Sequence, residues 1–140
     1  MAEIEEKEMK AGFIPYFESE GEFYVYLMTP SDKKFGGTNP QIAKGKIDSE
    51  ENTNEAAIRE ATEELGLKID NIKSVQSLGE FSIEDDRYRL VVYFAKVKDP
   101  DDFDRPHYET GWTGWLEIED AINRIRPDQA EILKKLKSLL

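Results

Sequence analysis

Three glutamates fall within five positions in the stretch REATEELG: Glu60, Glu63 and Glu64, with Arg59 immediately before them. At spacings of three and four residues they are neighbours on a helix, where like charges cost roughly 0.2–0.5 kcal/mol per pair. Hard carboxylate oxygens at that pitch suit Mg²⁺, which takes a few carboxylates and keeps positions for water and phosphate. Arg59 can hold one of these carboxylates by a charge-assisted hydrogen bond. The plainer alternative is a solvated acidic face. A calcium loop is not an alternative: counting from Asp48, its glycine and glutamate positions hold Thr53 and Arg59, and DPDDFD has Asp104 and Thr110 there.

A helix must carry these residues. Asn52 or Thr53 is a suitable N-cap, Glu55 stands at the capping-box position after Asn52, and Gly66 supplies a left-handed stop. On the wheel, Ile58, Ala61 and Leu65 form the face expected to bury against a sheet. Glu60, Glu63 and Glu64 lie roughly opposite, with Ala56 and Ala57, whose small side chains would admit other backbone.

Upstream residues extend the pattern. Gly45, five residues, Glu51, seven residues and then REATEELGL resemble the Nudix box, and Gly45, Glu51, Arg59, Glu60, Ala61, Glu63, Glu64, Gly66 and Leu67 fill every defined position. Against this composition a chance match is on the order of one in a million. Lys44 and Glu50 stand where many members carry glycine.

The resemblance implies an α/β fold, an α/β/α sandwich with a mixed central sheet. It implies hydrolysis of a nucleoside diphosphate linked to another moiety, by water attacking phosphorus. Mg²⁺, with Mn²⁺ as a substitute, is the implied cofactor, and Gly45 (through its carbonyl), Glu51, Glu60, Glu63 and Glu64 are the implied metal ligands. Glu51 has a second role open to it, anchoring loop to helix. Arg59 would orient a glutamate. The general base is either a box glutamate or Glu109, which precedes Trp115 by a spacing similar to that in diadenosine polyphosphate hydrolases. An ordinary loop carboxylate is the alternative for Glu109.

Substrate contacts lie outside the box. AKGKID resembles a segment of the diadenosine and diphosphoinositol polyphosphate hydrolases, which makes Lys44 and Lys46 candidates for phosphate. Arg87 and Arg89 alternate along DRYRLVVYF and are further candidates, with Tyr88 or Phe35 to stack on adenine. Trp115 reads as core and Trp112 as packing before base stacking. His107, the one histidine, reads as structural. The expected substrate is a dinucleoside polyphosphate or an ADP-ribose-like adenine nucleotide. The rival readings are a Nudix-fold module that binds nucleotide without cleaving it, and an acidic interaction domain.

The whole chain agrees with a small anionic substrate met through a metal. At 140 residues it reads as one domain, with residues 1–10 charged and expected to fray. A net charge of −11 argues against a long nucleic-acid partner. There is no membrane-length apolar run, no basic-then-apolar leader and no cysteine, which fits a cytoplasmic protein. AGFIPYFE and EFYVYLMT read as a hairpin turning at Ser19–Gly21, and QIAKGKID as a short strand. KIDNIKSVQSLGEFSIE and DRYRLVVYFAKVKD read as further strands, WTGWLEIEDAINRI as a strand entering a helix, and Pro127 as the opening of the last helix.

Overall fold

The computed structural model describes residues 8–32, 34 and 38–140; Phe35 and residues 1–7 lie outside the described residues. Strands β1 (Glu8–Ser19) and β2 (Glu22–Pro30) form the expected hairpin. Glu20 and Gly21 both take positive φ, 53° and 80°, the backbone that a two-residue hairpin turn requires. The expectation that residues 8–10 fray is not met. They pair in parallel with β5 (Tyr88–Val97), where Lys10 lies opposite Leu90.

Among the described residues, six strands make one mixed sheet in the order β4-β5-β1-β2-β6, with β3 (Ala43–Lys46) also on β1. β4 spans Ile72–Ile83 and β6 spans Thr110–Glu117. β1 is the spine. Its one edge runs along β5, and its other edge forks: Lys10–Phe13 pair with β3, and Tyr16–Ser19 pair with β2. Pro15, which has no N–H to give, sits in the gap between the two ladders.

Helices cover both faces. On one side α2 (Ile118–Arg124) and α3 (Ala130–Leu139) close a core of Ile14, Leu27, Leu90, Val92, Leu133 and Leu136. On the other side α1 (Thr53–Leu65) lies against Ala11, Phe13, Ala43 and Ala95. Here the small side chains matter: Ala56, Ala57 and Ala61 on α1 meet alanines on β1, β3 and β5, so helix and sheet backbones approach closely. Pro127 opens the last helix through a short 3₁₀ turn, Pro127–Gln129.

The orientation of α1 corrects the helical-wheel reading. Ala56, Ala57, Glu60, Ala61 and Leu65 are all buried, whereas Ile58 is only half-buried. The buried arc therefore runs from Ala56 to Leu65 and centres near Ala57 and Glu64. The acidic side is rolled partly into the protein, and Glu60 and Glu64 point along β3 while Glu63 stays exposed.

Candidate active site

Both ends of α1 are fixed as its sequence requires. The Asn52 side chain accepts from the Glu55 N–H at 2.8 Å, and Gly66 takes φ 74° with its N–H on the Thr62 carbonyl. Gly66 has a second reason to be glycine, since a Cβ there would overlap the Asp104 carbonyl.

Arg59 gathers the acidic residues. Its Nε and Nη2 donate to the two oxygens of Glu51 at 3.0 and 2.9 Å, a two-pronged pairing. Nη1 donates to Glu60 Oε1 at 2.9 Å and reaches Glu63 Oε1 at 3.5 Å, while Nη2 also meets the Lys46 carbonyl at 2.9 Å. Asp48 completes the ring at 3.4 Å. Glu51 is thereby tied to Arg59 and, through Oε1, to the Asp48 N–H at 2.9 Å, so it joins loop to helix. These hydrogen bonds, Arg59 first, hold the Glu51 carboxyl below the usual range, and Glu51 in turn raises Arg59.

Gly45 and Glu60 share one space. β3 presents Gly45 to α1, opposite Ala11 of β1, and a Cβ at Gly45 would overlap the Glu60 carboxyl group. One residue away, the Lys44 N–H donates to Glu64 Oε1 at 3.3 Å. Burial first, and then Glu60 beside it, pushes Glu64 up to about 8. Lys44 is pushed down by its own burial and by Lys10, against the pull of Glu64 and Glu84. Four carboxylates, Glu51, Glu60, Glu63 and Glu64, against Arg59 and the half-buried Lys44 make a site short of positive charge.

The donor set therefore fits a hard divalent cation: Glu60, Glu63, Glu64 and the Gly45 carbonyl offer oxygen only. Among the described residues no three acidic side chains are already closed around a point that would hold a cation. Arg59 draws Glu60 and Glu63 to itself, and the Lys44 N–H draws Glu64. A site that shares its ion with water and phosphate needs no closed cage.

The segment between β5 and β6 is fastened to the end of α1. The Asp104 N–H donates to the Gly66 carbonyl at 2.7 Å and the His107 N–H to the Glu63 carbonyl at 2.7 Å. The Thr110 hydroxyl donates to the Glu64 carbonyl at 2.8 Å. Carbonyls at a helix C-terminus need such partners. Buried Asn71, which sequence reading did not single out, steadies the start of this segment. Its Nδ2 donates to the Asp99 and Asp102 carbonyls, both at 2.8 Å, and its Oδ1 accepts from the Asp99 N–H at 2.9 Å.

A cavity of about 470 Å³ opens beside this junction, with Lys44 and Glu64 on one side and Tyr108, Glu109 and Thr110 on another. Met28, Pro30, Asp32 and Gln41 line the rest. Glu109 thus faces the same space as Glu64, and its carbonyl accepts from the Ser31 N–H at 2.7 Å. Tyr108, Asp32 and Met28 were not among the sequence candidates.

The other expected substrate contacts lie away from the cavity. Lys46 is largely exposed, with its ammonium 3.7 Å from Glu8. Arg87 belongs to the β4–β5 turn and not to the strand, and Arg89 pairs with Glu80 at 2.8 Å. Tyr88 packs against the core under the Lys10 ammonium, 3.9 Å from its ring centre. Trp115 is packed as expected, among Phe17, Tyr26 and Phe103, with its N–H on the Pro100 carbonyl. Trp112 lies across Gly114.

A model of the family described as NUDIX domain matches residues 7–136. The chain belongs to the Nudix family. No curated protein sequence matches the chain. Solved Nudix structures match its fold. An Ap4A hydrolase of C. elegans in a binary complex superposes with a TM-score of 0.77 at 23% identity, covering 94% of this chain and 96% of its own. The NUDIX domain of Shewanella oneidensis NrtR, complexed with ADP ribose, gives 0.73 at 12% identity, covering 96% and 89%. A Nudix hydrolase from M. smegmatis, RenU, gives 0.70 at 17% identity, covering 99% and 89%. At these identities the likeness is one of Nudix fold.

Proposed function

We propose that this chain hydrolyses the pyrophosphate linkage of a nucleoside diphosphate derivative, with Mg²⁺ or Mn²⁺, by attack of water on phosphorus. A dinucleoside polyphosphate or an ADP-ribose-like adenine nucleotide is the substrate we infer. The observation that carries the reading is the meeting of Glu64, Lys44 and Glu109 around one cavity, at the end of a helix whose other carboxylates Arg59 holds. The likeness to an Ap4A hydrolase and to a NUDIX domain complexed with ADP ribose supports the substrate class.

Glu60, Glu63, Glu64 and the Gly45 carbonyl would hold the cation, which when bound supplies positive charge to phosphate oxygens and polarises water. Lys44 meets a phosphate oxygen at the cavity wall. Arg59 keeps Glu60 and Glu63 from swinging into solvent, and Glu51 keeps Arg59 in place. Glu109 takes the proton from the attacking water. Its segment is bonded to the Glu63 and Glu64 carbonyls, which supports a fixed distance between base and cation ligands.

The decisive experiment is a panel of nucleotide substrates with Mg²⁺, products identified by mass, in H₂¹⁸O to mark the attacked phosphorus. Divalent-dependent cleavage with label in one phosphate product is expected. Tight nucleotide binding with no cleavage of any substrate would overturn the assignment in favour of a binding module.

A further inference from the structure

The cavity has one aromatic residue in its wall among the described residues, Tyr108, and that residue is 80% exposed. An exposed tyrosine at a loose loop tip would signify little, but this one is not loose. The residue before it donates to the Glu63 carbonyl at 2.7 Å, and Thr110, two residues on, bonds both His107 and Glu64. The His107 ring lies against the tyrosine at 4.1 Å between centres, tilted by 40°. One part of the ring is backed, the rest is open, and the backbone beneath is pinned to the helix that carries the carboxylates.

Of the other aromatic candidates among the described residues, none lines the cavity. Tyr88 is held by the core and Lys10, Trp112 lies on Gly114, and Trp115 is enclosed by other rings. From these observations, and resting on the pyrophosphohydrolase reading above, we infer that Tyr108 is the platform on which a nucleobase of the substrate stacks at the mouth of the cavity. The phosphates then extend inward to Lys44 and Glu64. Flat π-faces attract bases of any sequence, and removing such a platform weakens binding measurably. A cavity of about 470 Å³ is the size of a site for one compact ligand. One nucleoside of the substrate is therefore gripped, and the moiety beyond the cleaved bond is held less selectively. Tyr108 in this role sets specificity and takes no part in proton transfer.

The test compares wild type, Tyr108→Ala and Tyr108→Phe. For a nucleoside polyphosphate, Tyr108→Ala should raise KM by about tenfold with kcat little changed, and Tyr108→Phe should match wild type. Inorganic tripolyphosphate, which has no base, should inhibit nucleotide hydrolysis equally in all three. AMP titrated into each protein gives a reading that does not need turnover. Its base protons should shift upfield in NMR spectra with wild type and Tyr108→Phe, and not with Tyr108→Ala. Unchanged KM and unchanged base-proton shifts in Tyr108→Ala would overturn the inference while leaving hydrolysis intact. Failure of wild type to cleave any nucleotide would instead strike the underlying reading, and the AMP shifts would still judge Tyr108.

Discussion

The carboxyl group of Glu60 occupies the space that a side chain on Gly45 would need. The first box glycine and the box glutamate that follows Arg59, 15 positions apart in sequence, are thus parts of one contact. Gly45→Ala should force Glu60 off Arg59 or β3 off its register. Overpacking of this kind costs about 1–3 kcal/mol, and a misplacement of about 1 Å in a catalytic group costs on the order of a hundredfold in rate. Thermal denaturation and Mg²⁺-dependent turnover measure the two effects, and a variant with wild-type turnover would show that the contact is dispensable.

Glu51 has two available roles that separate by experiment. As the anchor of Arg59, its replacement by Gln should lower the melting temperature, because the charge-assisted pairing is lost, and reduce turnover through Glu60. As a direct cation ligand, it should instead weaken Mn²⁺ binding with little change in stability. The two-pronged pairing with Arg59 favours the first outcome. Metal titration alongside denaturation decides.

Without a cation, Glu64 titrates at about 8 because it is buried beside Glu60. A carboxyl raised above its unfolded value of about 4.3 binds its proton more tightly in the folded state. Its stabilising contribution is fully present below about pH 4.3 and is lost as pH rises through about 8. Metal-free wild type should therefore lose stability relative to Glu64→Gln across that window. Saturating Mg²⁺ should narrow the difference, because the ion takes over from the proton. Melting temperatures measured at several pH values, with and without metal, test the sign; a difference that grows in favour of wild type as pH rises would contradict it.

Glu109→Gln should abolish most turnover while leaving nucleotide and Mn²⁺ binding near wild type, since Glu109 is not among the proposed cation ligands. General-base removal typically costs on the order of a hundredfold to ten-thousandfold. Single-turnover rates and equilibrium binding give the two halves of the answer. Full turnover would return the base to the helix, where Glu64 is the nearest candidate.

The box was legible because its spacing is linear: one loop glycine, one glutamate and a single helix with sequence-encoded caps at Asn52 and Gly66. The roll of that helix was not, because a wheel that counts glutamate as polar cannot know that Glu60 and Glu64 face a glycine and a lysine N–H on a neighbouring strand. Alternation placed Tyr88 on a strand face correctly in kind, yet gives no sign of which face is buried, and in the structure that ring serves the core. Arg87 fell into a turn one residue before its strand. Asn71 and Tyr108 sit in irregular segments without periodicity, so their roles come only from what the fold brings near them.

The fork at Pro15 has a bearing on how such a protein can vary. β3 is indexed on Lys10–Phe13 of β1, and Gln41 just before it is bridged to Met28 of β2. A four-residue ladder, held at its entry by that bridge, thus sets the alignment of Gly45 with Glu60. A shift of β3 by one residue would turn Gly45 away from the helix and set a lysine against the Glu60 carboxyl, so strand register is a determinant of the site's charge balance.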